Sequence, residues 1–257
     1  MRFKSRMLGL SLICFFSGLT QAGTMGSVIS NFEGFAFGVG GGYVNTNLSK
    51  RTDITQLSIY PSVTEYYRED NIKDSLSPIA NASYFGALSN EWLWGIKGVY
   101  KYLGITHPNI DWSGTYQNGS YQEGSFHTKV VQEFFLTANA GYQILPNWLV
   151  YLGAGPSITD MQTELRGNLL GSTSTTFQYS EVTKNKVLWG VAGQVGFGLM
   201  LPNRVMLDFS YNLVVTPQAN MSKTYFATNT ASFYSAFSQR VQLFEQGLNI
   251  TVNKYFA

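Results

Sequence analysis

The feature that most constrains this chain is an alternation of apolar and polar residues with a period of two, repeated along most of its length. Successive side chains of a β-strand point to opposite faces, so such a run describes a strand between two different environments. In the run 92–104, Trp92, Trp94, Ile96, Tyr100 and Tyr102 share one parity, and Leu93, Gly95, Lys97, Val99 and Lys101 share the other. The same pattern recurs at 128–144, 186–201, 204–215 and 244–256. Three further runs, at 34–46, 78–88 and 148–159, complete a set of eight. In 78–88 the polar face is assigned to Asn81 and Ser83, although Phe85 shares their parity.

The connections alternate in length. Three are tight and similar: Ser89-Asn90-Glu91-Trp92, Leu145-Pro146-Asn147-Trp148 and Leu201-Pro202-Asn203-Arg204. Proline and asparagine suit turns through a fixed φ and local side-chain bonding. The other four, at about 47–77, 107–127, 160–185 and 217–238, are long and polar and read as loops. Long and short connections then fall on opposite ends of an up-and-down antiparallel sheet. Trp92, Trp148 and Arg204 mark a strand–turn–strand unit recurring at roughly 55-residue intervals. No second domain is expected.

The first 22 residues read as a secretory signal peptide. Arg2, Lys4 and Arg6 supply the positive start, 7–19 the apolar stretch, and Thr20-Gln21-Ala22 the small-residue cleavage site. Residues 23–33 form a lead-in and 34–257 the folded domain. Cys14, the single cysteine, lies in the leader. Disulfides, thiolate metal sites and a cysteine nucleophile are therefore not expected after processing.

Composition narrows the choice. Charged residues are 12% of the chain, against roughly 25% for a soluble domain. Aromatics reach 15%, yet mean hydropathy is only −0.04. Removing the leader leaves 14 basic and 15 acidic side chains (17 less 3 against 15), too balanced for nucleic acid. The aromatic face would need a covering layer in water, and no helix-period segment supplies one. If lipid covers it, every backbone N–H and C=O must still be paired, which only a closed barrel achieves in hydrocarbon. The expected fold is all-β: an eight-stranded antiparallel up-and-down transmembrane barrel with short periplasmic turns and long extracellular loops.

An eight-stranded barrel has an interior just wide enough for side chains to fill it. Gly38, Gly40, Gly42, Gly153, Gly155, Gly196 and Gly198 fall on the inner parity and read as steric fit. Inner-parity charges are Lys97, Lys101, Glu133, Arg204, Asp208 and Glu245, with Lys129 and Lys186 near the outer rim. Buried charges need partners. Equal heights pair Lys101 with Glu133, while Lys97 and Asp208 both lie low. The expectation is a structural lumen charge cluster; its alternative is a gated ion path. Trp92, Trp94 and Trp148 follow the short turns, where a lower aromatic girdle belongs.

The chain resembles the small eight-stranded bacterial outer-membrane β-barrels, the group of the OmpA transmembrane domain, OmpX and the opacity-type proteins. The resemblance spans 34–257 and rests on strand period, loop alternation and the closing strand 247–256. That strand, ending in Tyr255 and Phe256, looks like the family's C-terminal assembly signal, although Ala257 follows the aromatic. The resemblance implies an exported integral protein of the bacterial outer membrane. Its partners would be outer-membrane lipid, lipopolysaccharide and the assembly machinery. A monomer is expected.

No cofactor, metal site or catalytic residue is expected. His107 and His127 flank the second long connection and read as rim residues; nothing nearby completes a metal site. Ser125 lies close to His127, and some barrels of this class act on lipopolysaccharide with such a pair, but no matching motif surrounds these two. The loops are rich in tyrosine, including Tyr60, Tyr66, Tyr67, Tyr116, Tyr121, Tyr179, Tyr225 and Tyr234. Polar loops on a rigid scaffold carry function in surface barrels. The reading is a non-catalytic surface barrel for envelope structure or for adhesion to a host or surface ligand. A narrow porin-like channel is the alternative, and a lipid A-modifying enzyme comes third.

Overall fold

A computed structural model describes residues 31–58, 63–89, 91–115, 121–170, 176–178, 182–227 and 233–256. The expected signal peptide, most of the expected lead-in, Ala257 and the Tyr60, Tyr116 and Tyr179 positions lie outside them.

The strands in chain order are β1 (Gly34–Ser58), β2 (Val63–Ala87), β3 (Trp92–Thr115), β4 (Tyr121–Leu145) and β5 (Trp148–Leu170). They continue with β6 (Thr176–Gln178), β7 (Val182–Leu201), β8 (Val205–Val215), β9 (Ala219–Ala227) and β10 (Phe233–Phe256). Eight of these, all but the short β6 and β9, pair in an antiparallel ring. β1 closes it against β10, with Phe35 opposite Phe256 and Tyr43 opposite Leu248.

The outward face carries the apolar belt. Phe35, Phe37 and Val39 are 59–68% exposed, as are Leu152, Trp189, Leu248 and others around the ring. The belt on β10 runs from Phe244 to Phe256. Twelve steps of about 3.3 Å, tilted by about 40°, give a height of roughly 30 Å, the thickness of a bilayer core. The barrel spans a membrane.

The long polar connections are strand over most of their described residues. Strands of 20–25 residues run through most of 47–77, 107–127 and 160–185 and continue well beyond the belt. The physical reason is an inversion of polarity. On β1 the outward residues change from Phe35, Phe37, Val39 and Tyr43 to Asn45, Asn47, Ser49 and Arg51, while Val44 and Leu48 turn inward. On β10 Gln242 and Arg240 replace the outward apolar residues, and Leu243 and Val241 face in. Above the membrane the outside is water, so the apolar parity moves to the inside. A pattern tied to one fixed face ends where this inversion begins.

Outside the membrane the ring also divides. The β2–β3 ladder ends at Ile79 opposite Lys101, and the β7–β8 ladder at Val191 opposite Val215. Beyond those points β2, β1, β10 and β9 form one sheet, and β3, β4, β5 and β7 form another. A proline stands at each division, Pro78 in β2 and Pro217 between β8 and β9. Proline lacks the N–H a ladder needs and is confined to strand edges. Side chains bridge the gaps. Ser77 donates to the Tyr102 carbonyl at 2.8 Å, and Ser75 to that of Leu103 at 3.4 Å. At the second division Lys186 on β7 donates through its ammonium to the Asn220 carbonyl on β9.

Local irregularities set side-chain direction. A bulge between Val130 and Gln132 reverses parity on β4, so Val130 is fully buried inside rather than facing outward with Phe134. Lys129, read as inner-parity, consequently falls on the outer parity. Gly34 has φ 115°, and its added Cβ would stand 2.6 Å from the Phe256 carbonyl oxygen. There the chain turns under the barrel, where Asn31 donates to the Pro146 carbonyl at 3.1 Å and Phe32 is completely buried.

Candidate functional site

The interior is layered, with apolar groups between polar ones. At the short-turn end Phe32, Phe85, Leu93, Tyr151, Met206 and Tyr255 pack together, joined by Leu149 and Met200. Phe85 therefore shares the inner face with Asn81 and Ser83. Glycines make room for the large rings: a Cβ on Gly196 would lie 2.2 Å from the Tyr151 ring, and one on Gly95 2.5 Å from Phe85.

Above this floor Lys97 and Asp208 form an ion pair, both nearly inaccessible. Lys97 also donates to the Tyr151 hydroxyl at 2.8 Å, and that hydroxyl donates to Asp208 Oδ1 at 2.7 Å. Gln194 donates to Tyr151 at 3.2 Å. A second apolar layer follows: Ile79, Val99, Phe135, Ala192 and Val214. Next, Lys101 Nζ meets Glu245 Oε1 at 2.6 Å and Glu133 Oε1 at 3.3 Å, with all three side chains at most 1% exposed. Lys101 and Glu133 stand directly opposite each other on β3 and β4. A third apolar group closes the top, where Val44, Leu48, Leu103, Ile105, Val130, Met161, Leu188, Val241 and Leu243 line both sheets.

Five of the six inner-parity charges thus converge in two clusters. Arg204 does not join them. It is exposed in the Pro202–Arg204 turn, with φ 56°, and β8 begins only at Val205. A tight turn needing two residues with positive φ took Asn203 and Arg204 out of the strand. Tyr151 was not singled out by sequence reasoning, although it bonds both members of the lower pair. Its signal was a large polar ring on a parity otherwise filled by Gly153, Gly155 and, on the next strand, Gly196.

Trp92, Trp94 and Trp148 face outward just beyond the short turns, 38–50% exposed. Each meets another ring: Tyr142 at 5.1 Å, Tyr84 at 5.5 Å and Phe197 at 4.6 Å respectively. Phe256 also faces outward, whereas Tyr255 is buried in the lumen floor.

The two histidines differ. His107 lies above the belt, fully buried on the inner side. The Thr46 hydroxyl donates to the Lys73 carbonyl at 3.2 Å and so accepts from His107 Nε2–H at 3.3 Å. Burial first, and then the nearby Lys50 and Lys73 ammonium groups, lower the His107 pKa to about 4 from 6.5. A depressed pKa makes stability complete above pH 6.5 and lost as pH falls toward 4, because only the unfolded imidazole takes up the proton. The loss from this residue is up to about 3 kcal/mol. Urea midpoints at pH 7 and pH 4.5 should show a smaller pH difference in His107→Gln than in the wild type.

His127 is half-buried on the outer parity, and its Nε2 lies 3.2 Å from Ser125 Oγ. β5 places Glu164 opposite His127. β4 pairs with both β3 and β5 here. A register shift between His107 and Ile110 leaves His127 without an opposite residue on β3. Among the described residues no group of three or more His, Cys, Asp or Glu side chains could hold a metal.

No protein-family description and no curated protein matches the chain in sequence. Among solved structures, outer membrane protein OprG from Pseudomonas aeruginosa aligns over 87% of this chain and 97% of its own, at 12% identity and a TM-score of 0.46. Neisserial surface protein A aligns over 84% and 97%, at 14% identity and a TM-score of 0.30. Ail, the attachment invasion locus protein of Yersinia pestis, aligns over 82% and 98%, at 12% identity and a TM-score of 0.28. At these values none of the likenesses carries an inference about activity.

Proposed function

We propose that this chain is a non-catalytic surface barrel of the bacterial outer membrane, serving envelope structure or attachment through its extracellular hairpins. The length of those hairpins carries the reading. Spanning a bilayer takes about 9–11 residues per strand. Seven of the eight ring strands have 20 residues or more, and the surplus builds a two-sheet extension with its own aliphatic core. An extension of that kind carries the described strand ends well beyond the belt, where they can meet another surface. The lumen supports the non-channel form of this reading, because paired charges and packed rings fill it. In planar bilayers the purified protein should give no resolvable conductance steps.

The deciding experiment shortens the hairpins to a few residues above the belt, keeping the barrel intact, and measures attachment of expressing cells to host-cell and matrix surfaces. Attachment should fall about tenfold or more, as when the central residues of an interface are removed. Unchanged attachment would sink the adhesion reading.

A further inference from the structure

The outer wall is hollow between β1 and β4. Ala80 and Ala82 on β2 and Gly98 on β3 form the floor of a recess of about 750 Å³. Phe35 and Phe37 make one bank, and Phe134 and Leu136 the other. Cavities of about 300–1,000 Å³ are the usual size of ligand sites. Tyr84 closes the lower end, its ring 4.8 Å from Phe35 and 5.5 Å from Trp94 in the lower aromatic girdle. At the upper end the Tyr100 hydroxyl donates to Gln132 Oε1 at 2.9 Å.

The recess lies inside the bilayer-facing belt, so hydrocarbon covers it. It runs about 13 Å along the strands, from Ile96 to Tyr100 on β3, and about 14 Å across three strand spacings. That footprint of roughly 180 Å² falls well short of the about 800 Å² per partner that a stable protein interface buries. Its shape instead suits a stretch of one extended acyl chain lying along the strands. A second, smaller recess of about 550 Å³ lies beside Tyr43, Leu76 and Leu248, whereas much of the belt projects side chains such as Leu152 and Trp189, 66% and 64% exposed. A tail there touches protein on one side only. A tail in the recess is contacted on three sides, and the many small dispersion terms add.

We propose that this recess is a lipid site, holding one acyl chain of a phospholipid from the leaflet on the short-turn side. The chain stays bound while surrounding lipid exchanges. Membrane-spanning topology alone supports this site, and it is independent of the role of the hairpins.

The test is native mass spectrometry of the full barrel extracted in mild detergent and washed by detergent exchange. Wild type should retain one phospholipid. The variant A82L/G98L fills the recess and should lose about tenfold of that adduct, through the loss of side-chain contacts on the tail. A Cβ on Gly98 meets its nearest atom at 3.5 Å, so the position has room for a side chain. Gly193→Leu, on the far wall where a Cβ meets nothing within 4 Å, should leave the adduct unchanged. A phospholipid with a diazirine in its chain, photolysed on the wild type, should label the Ala80, Ala82 and Gly98 surroundings preferentially. The proposal is overturned by a wild type without adduct, by an unchanged adduct in A82L/G98L or by uniform labelling around the belt. It is equally overturned if the adduct is lipopolysaccharide, or if wild type is a dimer that A82L/G98L separates.

Discussion

Replacing Lys101 with methionine should destabilise the barrel by about 3–5 kcal/mol, the effect of removing one partner from a buried ion pair. The expected size follows from what remains. Glu133 and Glu245 are at most 1% exposed and lie against the same ammonium group. Without it, two carboxylates face each other between apolar layers, and neither can ionise without a large desolvation cost. The measurement is urea unfolding in lipid vesicles, followed by the heat-dependent shift in gel mobility. A triple variant, K101M/E133L/E245L, should recover most of the loss, since apolar replacement of a whole buried cluster is often neutral or stabilising. If K101M alone is as stable as wild type, the triad contributes nothing to holding the lumen shut.

A comparable effect is expected at Gly155, by a different cause. A Cβ there would stand 1.9 Å from the Leu136 carbonyl oxygen, a backbone atom fixed in the neighbouring strand. Gly40 is alike, with its added Cβ 2.0 Å from the Ile250 carbonyl oxygen. Relief requires the strands to part, and in hydrocarbon parted strands leave unpaired N–H and C=O groups. Overpacking costs about 1–3 kcal/mol in ordinary cores, and Gly155→Val should exceed that range. The expected outcome is failure to reach the heat-modifiable folded form on refolding into vesicles. Gly41→Val, outward-facing with its nearest neighbour at 3.7 Å, should fold normally. Equal folding of the two variants would show that the wall adjusts more freely than these distances allow.

Much of the architecture is legible in the sequence, for a physical reason. Period-two alternation is a local property, and a membrane leaves no way to satisfy eight such strands except closure. The assignments of Lys97, Lys101, Glu133, Asp208 and Glu245 to one parity, and of the tryptophans to the other, need only that alternation. The bulge at Val130 is a different matter. It depends on how two neighbouring strands accommodate each other, and nothing in the residues 128–132 announces it. The polarity inversion is written in the chain, in Val44 and Leu48 against Asn45 and Asn47, but it appears as a broken pattern unless the change of solvent is considered.

The sequence by itself determined the strand period, the two faces and the alternation of short and long connections, because each follows from neighbours along the chain. Only the tertiary structure decided which charges meet. Glu245 lies 144 residues from Lys101, and ring closure through β1 and β10 brings them to the same height. It also decided that the ring divides beyond Pro78 and Pro217, and that packed apolar layers, more than the charges, fill the lumen. Those outcomes depend on curvature, register and the width of an eight-stranded ring, which belong to the closed wall and to no single strand.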